Sequence, residues 1–175
     1  MALTRLNGIN AITGTIPQGN IANASLGAVT TLPAAITTGK VLQIITGSTS
    51  SIVTINANSY IDTGLTASIT PSSSSNKVLV LVHQPIGKTA HNTWSDIKLL
   101  RDSTQLGLFA SVGYNASSQA NYIGMGVGCS FLDTPSSSSS LTYKTQFRNV
   151  TASGSIYAQV DGGFSSITLM EIAVW

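Results

Sequence analysis

The run Leu141-Thr142-Tyr143-Lys144-Thr145-Gln146-Phe147-Arg148 alternates at every step between side chains suited to a core and side chains suited to water. A period of two places neighbours on opposite faces of an extended chain, so this run is a half-buried strand. Lys77-Val78-Leu79-Val80-Leu81-Val82 is different: its apolar residues are unbroken and rich in β-branching, the signature of a strand covered on both faces. Working outward, further strands fall at residues 40–46, 51–56, 65–70, 92–101, 105–110, 122–132, 155–160 and 164–175. Arg101-Asp102-Ser103-Thr104 is the turn between two of them. Pro-Ser runs at residues 71–75 and 135–140 share a Thr-Pro-Ser-Ser-Ser-Ser form and read as exposed loops. No helix emerges. About nine or ten short strands of this kind predict an all-β protein, a jelly-roll-like β-sandwich.

Composition narrows the class. The chain has 175 residues, of which 42% are hydrophobic and only 8% charged. Typical domains are charged at about a quarter of positions, so Ser, Thr, Asn and Gly do the solubilising here. The net charge of +2 comes from residues scattered along the sequence, with no run of Lys or Arg to meet phosphates, and nucleic acid is not expected as a partner. The single cysteine, Cys129, excludes an intrachain disulfide and a multi-cysteine zinc site; among apolar neighbours it reads as an inert core thiol. The first ten residues lack the apolar region of a signal peptide, so synthesis in a cytoplasm is expected. No apolar run approaches the ~20 residues that span a bilayer, so no membrane insertion is expected.

Residues 1–39 differ from the rest. They contain one charge, Arg5, and ten large aliphatic side chains, beginning with Leu3, Leu6, Ile9, Ile12 and Ile16. The first four recur at every third position, but Gly8, Gly14 and Pro17 oppose a helix. An extended attachment arm is predicted. Its ordering entropy exceeds what burial of its aliphatic groups returns, so partners must hold it. Residues 40–175 form the sandwich.

Two strands point to self-association. In residues 122–132, Gly124, Gly126 and Gly128 share one face, and Ile123, Met125, Val127, Cys129 and Phe131 the other. Glycine weakens a strand, so three on one face call for a reason: close approach of a neighbouring copy, or a barrel corner within the subunit. In residues 167–175, Met170, Ile172 and Val174 oppose Ile167, Leu169, Ala173 and Trp175, leaving two apolar faces to cover. A homotrimer is expected.

Catalytic signatures are absent from the sequence. The six acids are spread singly along the chain, and no Gly-x-Ser-x-Gly elbow occurs. Gly87-Lys88-Thr89 ends like a phosphate loop, but Val82 stands where its first glycine belongs. His83, His91 and Asp96 are too loosely spaced to predict a metal, and no cofactor is expected. Residues 83–93 read as the longest polar connection. It leads into Trp94, so His91, Asn92 and Trp94 are the candidate ligand residues: an aromatic platform with polar donors beside it suits a sugar. Against this stands the tendency of Trp94 to pack in a core.

Several segments together resemble a module of bacteriophage structural proteins. They are Gly39-Lys40-Val41-Leu42-Gln43, Tyr60-Ile61-Asp62-Thr63-Gly64-Leu65, Ile69-Thr70-Pro71-Ser72 and Asn76-Lys77-Val78-Leu79-Val80. Lys98-Leu99-Leu100-Arg101-Asp102 and Ile167-Thr168-Leu169-Met170-Glu171-Ile172 continue the pattern. The resemblance covers residues 39–175, and the arm is similar to the first stretches of phage fibre proteins. It implies a virion protein, a trimeric tail-fibre tip or a surface decoration, and identifies no receptor. Joined to the reading of the residues, the leading expectation is a non-enzymatic tail-fibre or receptor-binding protein that docks on other virion proteins through its arm and meets host surface glycans. The alternative is a capsid decoration (cement) protein.

Overall fold

The alternation of the octapeptide is realised in full: along Leu141–Asn149, buried and half-exposed residues exchange at every position. A computed structural model describes residues 40–113 and 123–174. The arm residues Leu3, Leu6, Ile9, Ile12 and Ile16 lie outside the described residues. In chain order the strands are β1 (Val41–Thr49), β2 (Val53–Ile55), β3 (Ile61–Ile69), β4 (Lys77–Lys88), β5 (Ser95–Arg101), β6 (Thr104–Val112), β7 (Ile123–Asp133), β8 (Leu141–Asn149), β9 (Ile156–Ala158) and β10 (Ser165–Ile172).

They pair into two antiparallel sheets. One runs β1-β10-β4-β7, with the short β9 and β2 continuing beside the end of β4; the other runs β3-β8-β5-β6. With the two three-residue strands set aside, the remaining eight follow the orders 1-8-3-6 and 2-7-4-5. That is jelly-roll topology, two Greek keys closed face to face. The turn expected at residues 101–104 is present between β5 and β6, with Asp102 at φ +52. The Pro-Ser runs join β3 to β4 and β7 to β8. Both lie at the end where Val41, Ile172 and Lys77 stand side by side.

The core has two apolar clusters. Val78, Val80, Leu99, Tyr143, Ile167 and Leu169 belong to the first, nearer the Pro-Ser loops; Ile86, Ile97, Phe147 and Ile156 belong to the second. A buried polar belt lies between them. Thr63 Oγ1 and Thr145 Oγ1 are 2.6 Å apart, and Thr145 Oγ1 donates to Gln84 Oε1 at 3.1 Å across the sandwich. With its amide oriented to satisfy both ends, Gln159 donates to the carbonyls of Ser51 and Thr63 and accepts from Gln84 Nε2.

Two expectations need correction. The strand at 77–82 continues to Lys88, so the connection read as residues 83–93 shrinks to residues 89–94. Pro85 permits this because it sits where the neighbour of β4 changes from β10 to β9. Its carbonyl accepts from Gln159 N on that side, and a residue's N–H and C=O point the same way, so the missing donor breaks no bond to β7. The second correction concerns coverage. Val78, Val80 and Val82 are buried, but Leu79 is half-buried and Leu81 is 36% exposed. Among the described residues, β4 is covered on a single face.

Candidate functional site

The outer faces of the two sheets differ in kind. On β1-β10-β4-β7, strand register aligns Ile44, Met170, Leu79 and Leu132 in one row, and Thr46, Thr168, Leu81 and Ser130 in the next. Ser48, Ser166, His83 and Gly128 follow, then Pro85 with Gly126 and Gly87 with Gly124. Ile44 is 58% and Leu132 51% exposed. Lys77 is the one charged side chain among the described strand residues of this face. Two groups singled out in sequence, the glycines and Met170 with Ile172, thus share a single surface. Val174 lies just beyond β10, its N–H bonded to Asn76 Oδ1.

The glycines separate by cause. A Cβ on Gly128 would stand 2.7 Å from the carbonyl oxygen of Val82, so this glycine is required by its own sheet. On Gly126 the nearest atom would be His83 Cε1 at 3.5 Å, and on Gly124 a Val160 methyl at 3.6 Å, both ordinary contacts. Nothing among the described residues requires glycine at 124 or 126.

The outer face of β3-β8-β5-β6 is polar. Arg148 donates through Nε (3.1 Å) and Nη2 (2.7 Å) to Asp96, whose other oxygen accepts from Ser111. Asp62 accepts from Lys144 (2.9 Å) and Gln146 (2.7 Å). Burial pushes the Asp62 carboxyl up, but these two donors prevail and hold it below the ordinary range. The Lys98 ammonium lies 3.9 Å from the Tyr60 ring centroid, and the Arg148 guanidinium 4.9 Å from it. Cations described from sequence as scattered are therefore gathered: one sheet face brings Lys98, Lys144 and Arg148 together. Sequence reasoning missed Tyr60, Lys98 and Arg148 as a group. No local signal joins them: Lys98 and Arg148 are solvent-side residues of β5 and β8, Tyr60 precedes β3, and only the pairing of these strands brings the three together.

The residues picked for ligand binding lie at the sandwich end opposite the Pro-Ser loops. His91 and Asn92 are exposed and Trp94 is half-buried. Asn92 has φ +50, a conformation asparagine tolerates, so the turn itself accounts for that residue. The loop is firmly tied: Lys88 Nζ donates to Thr93 O, Thr93 Oγ1 to Ser153 O, and Val150 N to Trp94 O. Burial pushes the Lys88 ammonium down. Asn149, at the end of β8, is buried and donates to Ser153 and Gly154 carbonyls.

The acids are structural in their contacts. Asp133 accepts from Tyr143 Oη (2.7 Å) and Arg101 Nη1 (2.6 Å), joining the two sheets. Glu171 is fully buried; burial alone would raise its carboxyl, but Gln43, Asn76 and Ser72 donate to it and hold its pKa at about 2. Cys129 packs against the first core cluster, and burial pushes its thiol up to about 11, which suits an inert sulfhydryl. Among the described residues no three His, Cys, Asp or Glu side chains come together as a metal cluster.

Fold and surface define an all-β jelly-roll module with one outer face that carries a single charge, Lys77, among its described strand residues and one polar outer face. No protein-family model matches the chain, and no curated protein does. Among solved structures, the chain is similar to the Eiger TNF of S. frugiperda at 13% identity and a TM-score of 0.42, over 75% of this chain and 94% of that one. It is also similar to VP2 of the infectious bursal disease virus subviral particle at 11% identity and a TM-score of 0.42, over 76% of this chain and 40% of that one.

Proposed function

We propose that the chain is a non-enzymatic structural protein of a phage virion, a homotrimeric tail-fibre or receptor-binding component. Residues 1–39 attach it to other virion proteins, and the sandwich meets glycans on the host surface. The polarity of the sandwich carries this reading. Residue 40 enters beside Ala173, at the Lys77 end of β4. His91, Asn92 and Trp94 stand past Lys88, at the other end, and eleven residue steps of strand at ~3.3 Å separate the two by about 36 Å. Attachment at one end and exposed loops at the other suit a protein that bridges a particle and a cell. The outer face of β1-β10-β4-β7, where Lys77 is the single charge among the described strand residues, supports the trimer. A non-catalytic role is supported by Asp62, Asp96, Asp102, Asp133 and Glu171, which all accept hydrogen bonds tying strands or turns together.

Copy number per particle, with the phenotype of particles lacking the protein, tests the reading. A few dozen copies and intact, DNA-filled particles that fail to adsorb are expected. Hundreds of copies and capsids that adsorb but burst on heating would establish decoration instead. Absence of the chain from purified particles would refute both.

A further inference from the structure

We propose that the outer face of the β3-β8-β5-β6 sheet carries a site for an anionic saccharide, built on Tyr60, Lys98 and Arg148. The inference deepens the receptor-binding reading and rests on it for the source of the ligand. It begins with where the charge is. In a chain with 8% charged residues, Asp62, Asp96, Lys98, Lys144 and Arg148 share one sheet face, whereas the four strands of the opposite outer face carry Lys77 alone. Solubility does not require this, because Ser, Thr and Asn supply polar surface throughout.

The partners within the cluster are unequal. Asp96 is engaged by Arg148 and Ser111, and Asp62 by Lys144 and Gln146. Lys98 makes no ion pair among the described residues; its ammonium rests 3.9 Å from the centroid of Tyr60. Arg148 approaches the same ring to 4.9 Å while Nε and Nη2 hold Asp96, which leaves the N–H groups of Nη1 for a further acceptor. Two like charges thus converge on one aromatic ring, and their mutual repulsion is relieved by an anion placed between them. All three residues stand on or at the ends of paired strands, so the donors are preorganised. A carboxylate or sulfate has two oxygens to bridge an ammonium and a guanidinium. The Tyr60 ring adjoins both cations, and Asn56, Asn58 and Ser59 are exposed in the adjoining loop. Three cations against two engaged carboxylates leave the patch net positive.

Calorimetric titration of the full chain tests this with an oligogalacturonate, its fully methyl-esterified neutral counterpart and a sulfated oligosaccharide. The acidic probes are expected to bind and the ester to bind far more weakly, with carboxylate and sulfate ranked by the comparison. Lys98→Gln, which breaks no ion pair, is expected to weaken acidic-probe binding about tenfold or more and to reduce its salt dependence. Tyr60→Leu provides a second variant, and unchanged thermal unfolding confirms that each folds. Equal binding of acid and ester, no binding of either acid, or wild-type affinity in Lys98→Gln overturns the site. Particles carrying Lys98→Gln separate the two readings. Acid binding through Lys98 with normal adsorption sustains the site and removes the receptor role. Lost adsorption without acid binding sustains the receptor role and overturns the ligand class.

Discussion

Replacing Gly126 with alanine separates a glycine kept for the subunit from one kept for a neighbour. Within the subunit the new methyl meets only His83 Cε1 at 3.5 Å, and the backbone there is not left-handed. A lone subunit should gain about 0.4–1 kcal/mol from the reduced freedom of its unfolded chain, which raises Tm by a few degrees in a domain of this size. In a trimer whose neighbour lies against this face, the same methyl overpacks the contact, at about 1–3 kcal/mol per interface. Each interface would weaken about five- to 150-fold. Gly128→Ala is the control: its Cβ would stand 2.7 Å from the Val82 carbonyl oxygen, so it should destabilise the subunit itself in any state. Light scattering across a dilution series reads assembly, and calorimetry of the diluted protein reads subunit stability. A Gly126→Ala protein that is more stable and assembles as well as the wild type would refute the placement of the interface. A wild type that stays monomeric at high micromolar concentration would refute the trimer.

Glu171 should make stability pH-dependent: its folded pKa of about 2 lies below the ordinary 4.5, so its contribution is complete above about pH 4.5 and fades as pH falls toward 2. Glu171→Gln should flatten that acid limb in urea titrations; an unchanged limb would assign it to other groups. Tyr143→Phe removes one of two donors to Asp133 inside the core and should cost about 1–3 kcal/mol by chemical denaturation, whereas no loss would mean water replaces the hydroxyl. Removing residues 1–39 should leave the β-sheet circular dichroism and melting of the sandwich intact while abolishing incorporation into particles; a truncated chain that fails to fold would join those residues to the core. Incubation with host polysaccharide should release no new reducing ends, and release that disappears on mutating an acid pair would overturn the non-enzymatic reading.

Most of the architecture was legible because β-strands announce themselves by local alternation and turn chemistry. Residues 141–148 and the turn at 101–104 needed nothing beyond their own neighbours to be placed. The end of β4 was not legible: Pro85 and Gly87 oppose a strand locally, and only the handover from β10 to β9 makes room for them. The glycine face was visible as a pattern, but its causes were not. Gly128 answers to a backbone oxygen one strand away, and Gly126 does not. The Tyr60–Lys98–Arg148 group escaped because its members lie 38 and 50 residues apart in sequence, and only the β3-β8-β5 pairing brings them together.

The belt of Thr63, Gln84, Thr145 and Gln159 also has a consequence for how the chain finds this fold. Hydrocarbon is nearly indifferent to sliding: two sheets displaced by one side-chain repeat, about 7 Å, still bury apolar surface. The belt is not indifferent. Such a slip would break the bonds that cross between the sheets, Thr145 to Gln84 and Gln159 to the Thr63 carbonyl, and set their groups against aliphatic carbon at about 1–3 kcal/mol apiece, a sizeable part of the stability of an ordinary domain. The apolar clusters attract the sheets without specifying their alignment, and the hydrogen-bonded seam between them acts as a keyed joint. In a topology built almost wholly from contacts distant in sequence, where collapse precedes correct pairing, such a joint rejects misaligned sandwiches before they lock.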